Sequence, residues 1–233
     1  MRAAVRVPVV LMTVVIGAAG AVSCSNQNSP GSAAPHRSKA AASGPEPSEE
    51  RTAPRAADLP KHPVSGDKRP GLGTADTMAT GYTGKDFLAG LSKDWKLKLG
   101  KPVEQEMPDG KKRTYVHGRG GNGVSVSAGY ADHENMSSLL CRTGANQPDG
   151  PDFLAACTRL DVAGVDHGKA SSWLKQARKE TDSLYEKRVA ETGNKKEYVV
   201  SGVFTSGPVT MILHRAYDKY SLRILGGAVA QRN

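Results

Sequence analysis

No aromatic residue occurs before Tyr82: all three Phe, both Trp and all seven Tyr of this 233-residue chain lie at or beyond that position. Aromatic side chains bury the most apolar area and dominate cores. The stretch able to close around a core is therefore 76–233, one domain by length. Residues 25–75 instead carry eight of the fourteen prolines, among abundant Ser, Ala and Gly. Such a composition cannot bury enough apolar surface to offset the entropy of ordering, so a disordered tether is expected there. At about 5–6 Å × √n its typical reach is near 40 Å.

Ahead of the tether, Arg2 and Arg6 precede an uncharged run, Val7 to Ser23, rich in Val, Leu, Ile and Ala. The run is short of the roughly 20 residues that span a bilayer, and it closes on small residues, as a secretory signal does. Its end, Ala21-Val22-Ser23-Cys24, resembles the lipobox of bacterial lipoprotein signals. That resemblance implies cleavage before Cys24, a diacylglycerol on its thiol, and attachment to the extracytoplasmic face of the cell membrane. Ala21 stands where the family more often has Leu, and Ala-x-Ser also suits ordinary signal peptidase, so plain secretion is the alternative. The expected organisation is a signal peptide at 1–23, a lipidated Cys24 with its tether at 24–75, and a domain at 76–233.

Three cysteines is an odd number for an exported chain. With Cys24 lipidated, Cys141 and Cys157 remain as an even pair in an oxidising compartment, and a disulfide between them is expected. Two unpaired buried thiols are the alternative. Neither has CxxC spacing, so no zinc or redox motif is read.

Within the domain, Thr83-Gly84-Lys85-Asp86 has the spacing of a capping box. Phe87, Leu88, Leu91, Trp95 and Leu99 then recur at helical intervals, up to Gly100 and Pro102. Turn-bounded runs at 103–107, 112–118 and 124–130 read as strands, with Val124, Val126, Ala128 and Tyr130 on one face. A short helix near 152–160 starts after Pro151. A longer one at about 168–190 carries Ala170, Trp173, Leu174, Ala177, Thr181, Leu184 and Tyr185 on its apolar face. Strands at 196–204, 208–216 and 219–226 close the chain. The expected class is α+β: an antiparallel sheet of about six hairpin-linked strands, with two main amphipathic helices on one face. Lys111–Val116 rhymes with Lys195–Val199, which leaves open either a duplicated helix-plus-three-strand unit or chance. In architecture alone this is similar to the beta-lactamase-inhibitor proteins; no shared motif transfers a function.

Catalytic patterns are weak. Gly118 to Gly123 matches GxGxxG, but Val124-Ser125-Val126-Ser127 follows as a strand where the dinucleotide fingerprint requires a helix. Ser172-Trp173-Leu174-Lys175 matches SxxK without the Ser-Asp-Asn and Lys-Thr-Gly elements that accompany it in penicillin-recognising enzymes. Asp132-His133-Glu134, with Asp161, Asp166 and His167 further on, has no metal-ligand spacing, and Glu104 with Glu106 reads as ordinary alternation on a wet strand. His117 and His214 lie in strands, and Trp95 and Trp173 are expected in the core.

Of the formal charge of +9, residues 76–233 hold +5, from 23 basic and 18 acidic residues. That is too diffuse for a nucleic-acid surface. The leading expectation is a cell-envelope lipoprotein presenting a non-enzymatic binding or adapter domain, without a cofactor or metal, to an envelope partner. The alternative is salt-sensitive binding of an anionic wall or membrane polymer through Lys111, Lys112, Arg113, Lys195 and Lys196, brought to one edge if the halves are duplicates. An envelope hydrolase ranks third.

Overall fold

The alternation in 124–130 is repeated along strand after strand, and it sorts the molecule into two unlike faces. In a computed structural model, residues 59–227 are described, apart from 73–75, 108–109, 122 and 133. The signal segment, Cys24, most of the expected tether, Asn122 and His133 lie outside the described residues. In chain order the elements are β1 (Val64–Ser65), α1 (Lys85–Trp95), β2 (Lys98–Leu99), β3 (Val103–Glu106), β4 (Lys112–Arg119), β5 (Ser125–Tyr130) and β6 (Met136–Gly144). They continue with α2 (Gly150–Cys157), α3 (His167–Thr192), β7 (Tyr198–Val200), β8 (Phe204–Ser206), β9 (Val209–Ala216) and β10 (Lys219–Gly226). The class is α+β, as expected, with antiparallel pairing throughout. The sheet runs β1-β7-β9-β10-β6-β5-β4-β2, with β3 also on β4 and β8 on β9.

One face of the sheet is the core. Val126 and Ala128 of β5 register with Cys141 and Leu139 of β6, which register with Leu222 and Ile224 of β10. Those in turn register with Leu213 and Met211 of β9. All are at most 2% exposed, and Leu88, Leu91, Phe153, Leu154, Ala170, Leu174 and Ala177 of the three helices close over them. Pro151 sits in the first turn of α2, where its missing N–H costs nothing. The bond between Cys141 and Cys157 ties α2 to the middle of the sheet. On α3, Asp182 accepts hydrogen bonds from Arg215 Nε at 3.1 Å and from the Tyr220 hydroxyl. Burial, and then that carboxylate, push the Tyr220 phenol up to about 12.

Several expectations are corrected. The central strand β6 lies where no element was expected, in the stretch before the cysteine loop. The first helix stops at Trp95, because Lys96 turns left-handed at φ 51°, and Leu99 passes into β2 opposite Gly118. No capping box forms: Gly84, at φ 62°, is the N-cap and makes no side-chain bond. The strand expected at 196–204 breaks into β7 and β8. Between them a Cβ at Gly202 would come within 2.3 Å of the Lys61 carbonyl oxygen, so the break admits the backbone of an N-terminal strap. That strap, 59–72, extends the folded unit into the stretch expected to be tether: β1 pairs with β7, and Leu59 and Leu72 pack with Leu225.

Replacing both Cys141 and Cys157 with Ala opens a loop whose closure is worth about 3 kcal/mol. At roughly 2–4 °C per kcal/mol for a chain of this size, scanning calorimetry should show a midpoint about 6–12 °C lower. Reducing the native protein should have the same effect, and an unchanged midpoint would contradict the staple.

Candidate functional site

The other face of the sheet has a different chemistry. Three rows of side chains cross it, fixed by strand register. One row is Arg119, Ser125, Arg142, Ser221, His214. The next is His117, Ser127, Leu140, Arg223, Ile212, and the third is Tyr115, Gly129, Ser138, Leu225, Thr210. None of the strands β4, β5, β6, β7, β9 and β10 contains an Asp or Glu. The acids of edge strand β3 do not intrude: Glu104 and Glu106 register with Thr114 and Lys112, on the helix side, and Gln105 registers with Arg113.

The strap covers one side of this face and leaves the other bare. Under it, Thr210, Ile212, His214 and Leu225 are buried. Toward β4, His117, Arg119, Arg142 and Arg223 are exposed, with Ser125, Ser127, Ser138 and Leu140 half-buried between them. The Tyr115 and His117 rings lie nearly parallel, centroids 6.1 Å apart. Beside them a hollow of about 300 Å³ is lined by Arg113, Tyr115, Ser127, Ser138, Leu140 and Arg223, with Leu72 of the strap at one end. Gly129 makes the hollow: a Cβ there would lie 2.5 Å from Ser138 Oγ and 3.0 Å from the Tyr115 ring. Among the described residues, Arg119, Arg142 and Arg223 have no carboxylate within ion-pair distance. Three guanidiniums so placed supply fork-shaped donors for an anion.

At the strap's margin, His214 takes part in a hydrogen bond through Nδ1 with the Tyr198 hydroxyl. Its Nε2 is buried without a hydrogen-bond partner among the described residues. Burial, and then the charges of Arg223 and Arg69, bring its pKa down to about 4.

Sequence-adjacent basic residues do not form one surface. Lys112 and Arg113 open β4 near one edge, Lys111 just precedes them, and Lys195 with Lys196 lies in the turn before β7, near the other edge. Neighbouring strands alternate in direction, so the two groups occupy diagonally opposite corners. Five strand spacings of about 4.8 Å separate β4 from β7 in the sheet direction alone. The single basic edge expected from duplication is thus not formed. A two-fold axis normal to the sheet between β6 and β10 would itself send the starts of β4 and β7 to opposite corners.

Other sequence candidates take structural places. The Gly118–Gly123 pattern is the turn from β4 into β5, closed by Gly120 N–H donating to Val124 O at 2.9 Å. Ser172 and Lys175 are exposed on α3. Asp166 caps α3 by accepting from Lys169 N–H at 2.9 Å, and His167 Nδ1 lies 3.3 Å from the Thr158 carbonyl. Among the described residues no three His, Cys, Asp or Glu side chains gather for a metal ion. No described helix is long and apolar enough to cross a membrane. The arginine face was missed because its members lie on three strands remote in sequence. The available signal was the acid-free alternation Arg113, Tyr115, His117, Arg119.

Comparison of the chain with protein-family models, with curated proteins and with solved structures finds no match.

His214 makes stability fall with acid. Between about pH 6.5 and 4 the unfolded chain binds a proton that the folded chain refuses, so stability rises with pH across that window. This group alone should cost roughly 2–3 kcal/mol between pH 7 and 4.5. Urea midpoints of the wild type and of His214→Gln, measured at both values, should show the variant losing less. Equal losses would contradict this placement.

Proposed function

We propose that this chain is a cell-envelope lipoprotein, anchored through Cys24, whose non-enzymatic domain binds an envelope ligand on the uncovered face of its sheet. The observation that carries the reading is that face: exposed Arg119, Arg142 and Arg223 over half-buried serines, with no acid among the strand residues that register places on it. Antiparallel sheets tolerate one wet face, but unpaired like charges on it stabilise nothing. A bound anion would give them a role. Anionic binding by the Lys111–Arg113 and Lys195–Lys196 clusters acting together is not supported, since a ligand would have to reach across the whole sheet.

Replacing Cys24 with Ser should move the protein from washed membranes to the soluble fraction, seen by immunoblot. Wild-type protein already found free in the medium would contradict the anchor. A photo-crosslinking residue in place of Ser125 should capture envelope material in cells, while one in place of Ser172, on α3, should not. The reverse pattern would reject the face.

A further inference from the structure

Resting on the reading of the uncovered face as the binding surface, we infer that its ligand is a linear acidic polysaccharide. Its carboxylates would meet Arg119, Arg142 and Arg223, and its sugar rings would lie over Tyr115 and His117. The rows across the sheet set the spacing. Arg119 and Arg142 lie on strands separated by β5, which puts their backbones about 9–10 Å apart. Arg142 and Arg223 lie on neighbouring strands, offset by two residues because Arg223 faces Leu140, a diagonal of about 7–8 Å. Long side chains on backbones so spaced can spread their charges along a polymer with an acid on each sugar or on alternate sugars. The row His117, Ser127, Leu140, Arg223 runs beside the row of Arg119, Ser125 and Arg142 as a track across the strands.

The rest of the track fits a sugar better than a peptide. The stacked Tyr115 and His117 rings, planes 6° apart and centroids 6.1 Å apart, offer aromatic contacts to the C–H groups of a pyranose, and Ser127 and Ser138 offer hydroxyls that both donate and accept. Protein interfaces draw most of their energy from large apolar or aromatic anchors in a dry centre. Of the exposed large hydrophobic residues among those described, Leu99 registers with Gly118 on the helix side and Tyr217 lies in the β9–β10 turn, while Val103 of β3 registers with Tyr115 at the margin of this face, one apolar side chain rather than a dry centre.

The test uses the full chain made soluble by Cys24→Ser, with polygalacturonate as probe and polyglutamate and dextran as comparisons. Polygalacturonate should bind, dextran should not, and binding should weaken steeply with salt. Arg142→Ser with Arg223→Ser should weaken it at least about tenfold, near 1.4 kcal/mol. Lys195→Ser with Lys196→Ser should leave it unchanged. His117→Ser, at an exposed position that the fold does not need, should weaken polygalacturonate binding several-fold and leave any polyglutamate binding unchanged. Polyglutamate binding as tightly as polygalacturonate, with His117→Ser affecting neither, would overturn the polysaccharide in favour of an acidic protein segment. If polygalacturonate fails to bind while crosslinks from position 125 persist in cells, the ligand class falls and the binding face stands. If both fail, both fall.

Discussion

The pairing of β6 with β10 holds this structure together. Leu139 and Cys141 lie against Ile224 and Leu222 across it, all four fully buried, and burying a large aliphatic side chain is worth roughly 1.5–3 kcal/mol. The two strands lie far apart in sequence, so the seam closes a long loop, which costs entropy that only packing can offset. Each half of the sheet is a meander ending at this seam: β4, β5, β6 on one side and β7, β9, β10 on the other. The disulfide hangs α2 from the seam's own Cys141, and α3 is pinned to β9 and β10 through Asp182. Because the helices gather on one face, the other is left to the strap and to solvent.

What fills that second face is not chosen for stability. Three arginines on backbones about 7–10 Å apart repel one another within about a Debye length in physiological salt, so their repulsion is only partly screened. Serines between them bury little apolar area. The strap improves matters on one side, where it covers Leu225, Ile212 and His214, and its Leu72 lies beside the hollow. Places where local rules are broken without a structural return are where function is usually found.

The elements with strong periodicity were legible in the sequence. The long helix, its buried stripe of Ala170, Leu174, Ala177, Thr181 and Tyr185, and the hairpin of β9 with β10 follow directly from spacing. The central strand β6 was not legible, because Met136-Ser137-Ser138-Leu139-Leu140 breaks clean alternation and the cysteine loop beyond it drew the reading toward irregular structure. The end of α1 was hidden because Leu99 continues the helical stripe while Lys96, a residue that rarely adopts positive φ, ends it. Basic residues adjacent in sequence drew attention to the corners of the sheet, whereas the arginine surface arises from cross-strand register, which no local pattern reveals.

The most direct test of the central claim is covalent footprinting of the native, membrane-attached protein against the purified protein. The labels would be an imidazole reagent for His117 and a phenol reagent for the tyrosines. If the uncovered face is where the ligand sits, His117 and Tyr115 should be protected in the envelope and reactive once purified, while Tyr217, 56% exposed in a turn, should label equally in both. Equal labelling of His117 in the two states would show that nothing occupies the face and would contradict the account.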